Sequence, residues 1–167
     1  MAYAVGLPLM ALLAILQSAV VSQLRLADGQ ADLVLVAVVA WALTGRSQEA
    51  MVLGLAGGLF LDLLSAMPLG SMALALVLVA YVVSLTEGRL WGAHLLTPLG
   101  VVFAASLFFS AYMLLASVIV GARVDLPSLG SRVLLPEMFL NMLLAIPAAQ
   151  MASALKRALF PPEVEIG

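Results

Sequence analysis

The chain has 167 residues, 65% of them hydrophobic and only 10% charged, with a formal net charge of −2 and a mean hydropathy of +1.20. A water-soluble domain carries roughly 45–50% apolar and about 25% charged residues, so this composition cannot cover a surface for water and demands the bilayer as solvent. Cysteine is absent and His94 is the single histidine, which excludes disulfides, thiolate chemistry and histidine metal clusters, while the seven cationic residues are too scattered for a nucleic-acid patch.

A membrane helix takes about 20 mainly apolar residues, and the chain divides into six such spans. The apolar runs are continuous, unlike the alternating strands of a membrane β-barrel. The first span covers about residues 2–24. It lacks a basic flank and exceeds the ~7–15 residues of a signal-peptide core, so no cleaved signal is expected. The second covers about 31–44, the third about 50–66, the fourth about 68–86, the fifth about 95–121 and the sixth about 133–155. The predicted architecture is an all-α membrane bundle forming one domain over about 1–160, with a short polar tail at about 161–167.

The spans are uneven. The second, at ~14 residues, reaches only ~21 Å at 1.5 Å per residue, against a hydrocarbon core of ~30 Å. It must be compensated locally, shielded by its neighbours, or stop short of crossing; spans two and three could also form one re-entrant hairpin. Both arrangements leave the termini on the same side. Arg46, Arg89, Lys156 and Arg157 fall on one side, and Arg25, Arg123 and Arg132 on the other. The Lys156-Arg157 pair adjoining span six places both termini in the cytoplasm. The loop 122–132 then faces outward.

Charges inside apolar runs are costly, about 2.5–3.5 kcal/mol at the bilayer centre on insertion scales. Asp62, within Leu59-Phe60-Leu61-Asp62-Leu63-Leu64, must therefore face protein. Gly54, Gly58 and Asp62 are spaced by four and share a helical face, which Gly57 broadens. Gly54-x-x-x-Gly58 permits close approach of another helix, either within the chain or from a partner. Asp62 has a structural reading, tying the turn before the next helix, whose free amides favour a negative charge. Its sharper readings are proton handling and partner contact. Met67-Pro68-Leu69-Gly70 follows, with Pro68 expected at the first helical position, where its missing N–H costs nothing.

In span six, Pro136 precedes Glu137, which reads as a first-turn acid. Asn141, one turn deeper, is expected to hydrogen-bond across helices. Pro147 is a possible kink, and Gln150 follows. Ser106, Ser110 and Ser117 in span five, and Gln17, Ser18, Ser22 and Gln23 in span one, read as packing contacts or as the lining of a ligand pocket. Trp41, Trp91, Tyr3 and Tyr81 read as membrane aromatics, with Trp91 and His94 at an interface.

No catalytic constellation emerges. His94 has no nucleophile motif beside it, Asp62 is the one deep aspartate where an aspartyl dyad needs two, and no phosphate-cradling glycine loop is present. The expectation is a protein without enzymatic activity, cofactor or metal.

Residues 54–84, GLAGGLFLDLLSAMPLGSMALALVLVAYVVS, resemble the signature region of the bacterial rod shape-determining MreD family. The elements that match are the glycine-rich helix (Gly54, Gly57, Gly58), Asp62-Leu63-Leu64-Ser65, the Pro68-Leu69-Gly70 turn and the Ala/Leu-rich helix reaching Tyr81. Ala66-Met67 stands where that pattern has a glycine or small polar residue. The resemblance implies a six-helix protein of the bacterial inner membrane, similar in architecture to the substrate-binding components of energy-coupling-factor transporters. It also implies a place in the wall-elongation complex. The partner implied is MreC, with RodA and an elongation-class penicillin-binding protein beyond it, and membrane lipids around it.

Two functions follow as expectations. The first is a scaffold acting through helix faces and short loops, with the Gly54–Gly58 face as one candidate docking surface. The second is a small-molecule-binding subunit of a transporter, which needs polar side chains converging on an enclosed pocket.

Overall fold

The computed structural model describes residues 2–19, 29–65, 68–85, 97–121 and 133–160. Six helices form among them: α1 (Ala2–Ala19), α2 (Leu33–Ala42), α3 (Ser47–Leu64), α4 (Ser71–Ser84), α5 (Thr97–Ile119) and α6 (Leu135–Leu159). The all-helical bundle agrees with the sequence. Helices α3, α5 and α6 are long and apolar enough to cross a membrane. Helices α2 and α4 are shorter apolar segments, while α1, at 18 residues, equals α3 in length.

The boundaries shift for local reasons. Ser47-Gln48-Glu49, read as a loop, instead forms the first turn of α3, where the free amides welcome the Glu49 carboxylate. Helix α6 runs on through Lys156 and Arg157 in its last turn, where the carbonyl end of the helix favours cations. Pro147 lies inside α6 without ending it. Pro68 does not begin α4. The N-cap is Gly70 at φ 94°, a left-handed conformation that a helix cannot include, so the helix starts at Ser71 and Pro68 belongs to the turn before it. The Pro68 carbonyl accepts from Ser71 N–H at 3.2 Å and Ser71 Oγ–H at 2.7 Å.

Helix α2 is the hub of the bundle. It touches each of the other five helices, and eight of its ten residues are buried. Its sequence, LVLVAVVAWA, is apolar on every face, as a helix enclosed by others must be. At ten residues it spans ~15 Å, about half the hydrocarbon thickness. Trp41 is accordingly an interior residue and not a membrane-belt aromatic, whereas Tyr3 and Tyr81 are exposed.

Helix α3 packs against α4 on one side and α1 on the other. Helices α5 and α6 pair with each other and close the bundle against α2. They turn large apolar side chains outward, among them Phe103, Phe108, Ile119, Phe139, Leu143 and Met151, as a lipid-facing wall does.

Candidate functional site

The glycine face of α3 is filled from within the chain. A methyl group on Gly58 would stand 2.3 Å from the Ala73 Cα, and one on Gly54 would stand 3.1 Å from the Leu76 carbonyl oxygen. Helix α4 lies in backbone contact there, so the Gly54–Gly58 face is no open docking surface. Gly57 points elsewhere, toward Val34 of α2 and Met10 of α1.

Asp62 sits at the end of this face, 2% exposed. Its Oδ2 accepts from Gly70 N–H at 2.9 Å and Ala73 N–H at 3.2 Å, and its Oδ1 accepts from Met72 N–H at 3.0 Å and Ser71 Oγ–H at 3.4 Å. The first turn of a helix leaves amides without intrahelical partners, and the Gly70 N-cap has no side chain to serve them. Asp62 caps α4 from the neighbouring helix. Its hydrogen bonds lie within the chain, which supports the structural reading of this residue. Ala66 and Met67 lie outside the described residues.

A second polar cluster surrounds the start of α2. The Asp32 carboxylate accepts from Leu35 N–H at 3.0 Å, an N-cap bond. Gln17 Oε1 accepts from Val34 N–H at 3.0 Å. Asn141 Oδ1 accepts from the Asp32 backbone N–H at 2.7 Å, and its Nδ2 donates to Ser106 Oγ at 3.0 Å. One turn nearer the start of α6, Ser110 Oγ–H donates to Glu137 Oε1 at 3.2 Å.

The far end of α2 is tied in the same manner. Glu49 accepts from Trp41 Nε1–H at 3.2 Å and pairs with Arg46, whose Nε–H lies 2.7 Å from it. That carboxylate raises the Arg46 pKa above its ordinary value. Arg46 also stacks on Phe160, 3.4 Å from the ring centroid. Lys156 Nζ donates to the Thr44 carbonyl at 2.6 Å. The beginning of α1 and the end of α6 share this end of the bundle.

At the opposite end lies a half-open cleft of about 630 Å³. It is framed by the end of α1, residues 30–32, the end of α3, α5 and the start of α6. Its walls are mainly apolar, including Leu61, Met72 and Leu114, and its polar groups include Gln17, Asp32, Ser110 and Glu137. Sequence reasoning placed Glu137 and Asn141 one turn apart on α6 and the serines on α5. It missed Asp32, which stands at a span boundary where a carboxylate reads as a loop residue. Only the burial of that boundary makes it part of a site.

Among the described residues, no group of three His, Cys, Asp or Glu side chains gathers to hold a metal ion. Ser22, Gln23, Trp91, His94 and the loop 122–132 lie outside the described residues. Among comparisons with known proteins, the family model described as rod shape-determining protein MreD matches residues 2–155. No curated protein and no solved structure matches the chain, so the expected likeness to energy-coupling-factor components gains no support from solved structures.

Proposed function

We propose that this chain, which belongs to the MreD family of rod shape-determining proteins, is a non-enzymatic scaffold of the bacterial inner membrane. In this reading it pairs with MreC and so supports peptidoglycan synthesis by RodA and its penicillin-binding partner. The family match over residues 2–155 carries the shape-determining role. The distribution of polar groups supports the scaffold reading: Asp62, Asn141, Gln17, Glu49 and Lys156 are engaged in ties between helices. Among the described residues, the cleft beside Glu137 offers a polar concavity to a partner. With Lys156-Arg157 and both termini on the cytoplasmic side, the cleft faces outward.

Affinity purification of the tagged protein from membranes, followed by mass spectrometry, tests this reading. Recovery of MreC and restoration of rod shape in cells depleted of their own copy are expected. Recovery of paired ATPases instead would support the second reading, a small-molecule-binding transporter subunit. That alternative is favoured by one observation: the cleft volume falls within the ~300–1,000 Å³ usual for ligand sites.

A further inference from the structure

The cleft combines apolar walls with one sign of charge. Asp32 and Glu137 reach it from separate elements, and none of its described lining residues is Lys, Arg or His. Asp32 is committed to the start of α2 through its bond to Leu35. Glu137 is less committed. Ser110 donates to its Oε1, and a carboxylate has roughly four lone-pair sites, so acceptor capacity remains. Two carboxylates among apolar walls, with no Lys, Arg or His among the described lining residues, disfavour phosphate and other anions and favour a donor that carries positive charge. The effect is strong because water screens poorly in such a place.

The position of the cleft narrows the source of that donor. It is framed by helix ends at one end of the bundle, the level at which the flanks of a membrane span carry Lys and Arg on long aliphatic stems. The apolar walls suit the stem and its neighbours, and the carboxylate suits the head. We propose that the cleft receives a Lys or Arg side chain carried on an apolar segment of a partner protein, with Glu137 as its counter-charge and Ser110 holding that carboxylate in place. This rests on the scaffold reading and adds to it the chemistry of the docking site.

The test uses the full chain co-expressed with MreC, with a benzoylphenylalanine photo-crosslinker at Leu114 on the cleft wall. The expected result is a crosslink to a protein segment that mass spectrometry shows to contain a Lys or Arg. Glu137→Gln, which keeps the shape and an acceptor for Ser110 but removes the charge, should weaken that crosslink about tenfold or more, as loss of one member of a buried charge pair does. Replacing the basic residue with Gln should weaken it similarly, and combining the two should add little further. Unaltered thermal unfolding of Glu137→Gln separates this effect from misfolding. A crosslink unchanged by Glu137→Gln, a captured segment without a basic residue, or capture of lipid alone would overturn the proposal. If MreC co-purifies but never crosslinks at Leu114, the cleft proposal falls while the scaffold reading stands. If MreC does not co-purify at all, the scaffold reading itself fails.

Discussion

Asp62 illustrates how a charge is retained at membrane depth. Its carboxylate receives three backbone N–H groups and one hydroxyl. Each buried donor left unmatched costs about 1–3 kcal/mol. Asp62→Ala is expected to destabilise the protein by about 3 kcal/mol or more, read as earlier thermal unfolding in detergent. Asp62→Asn keeps one acceptor oxygen and should lose less. Equal stability of Asp62→Ala and the parent would contradict the capping role. The glycines make a sharper contrast at the same scale. Gly58→Ala forces a methyl group against the Ala73 backbone, whereas a methyl at Gly57 meets side chains that can move, and one at Gly100 meets nothing within 4 Å. Thermal unfolding should therefore rank Gly58→Ala as the most harmful, Gly57→Ala as milder and Gly100→Ala as close to neutral.

At the scale of the element, α2 decides where the polar residues belong. A short helix enclosed by five others ends inside protein, where Asp32 and Thr44 are buried, and buried amides and carbonyls must find protein partners. The start of α2 is served by Asp32 and Gln17 and anchored through Asn141, and the turn after it by Lys156. These side chains come from α1, α6 and the segment before α2, so their bonds also fasten the bundle around its hub. Asn141→Leu removes the acceptor for the Asp32 amide and the donor to Ser106, with a cost of about 2 kcal/mol or more. Hydrogen exchange in detergent should report faster opening at Leu33–Leu35 than in the parent. Protection there equal to the parent would show that the start of α2 does not depend on this tie.

Among the described residues the molecule is arranged as a tied core with an apolar exterior and a polar concavity at one end. The lipid-facing wall of α5 and α6 offers no charge for recognition, while the cleft does. Variants that loosen the core and variants that alter the cleft should therefore part company. Gly58→Leu is expected to abolish both thermal stability and rod-shape complementation, because α3 and α4 cannot close. Glu137→Gln is expected to leave unfolding unchanged and to impair shape alone. Imaging of depleted cells that carry each variant checks this, and full rod shape with Gly58→Leu would count against the close packing of α3 and α4 as a requirement.

Composition alone was sufficient for the solvent and the class: 65% hydrophobic residues in continuous runs leave a helical membrane bundle as the available solution. Spacing was sufficient for the shared face of Gly54, Gly58 and Asp62, because helical periodicity is a local property. Local sequence could not say which helix fills that face. Gly54-x-x-x-Gly58 records only that something comes close, and the tertiary fold supplies α4 as the occupant. Nor could it say that the shortest span is the central one. In lipid, hydrophobicity does not sort inside from outside, since Leu33–Ala42 and the outward wall of α5 are equally apolar. What sorts them is where the polar ends of each helix find partners, and those partners lie up to 112 positions away in the chain, as Thr44 and Lys156 do, with Asp32 and Asn141 109 apart. The cleft follows from the same assembly: Asp32, Ser110 and Glu137 meet because three separate segments converge beside a helix too short to hide its own ends.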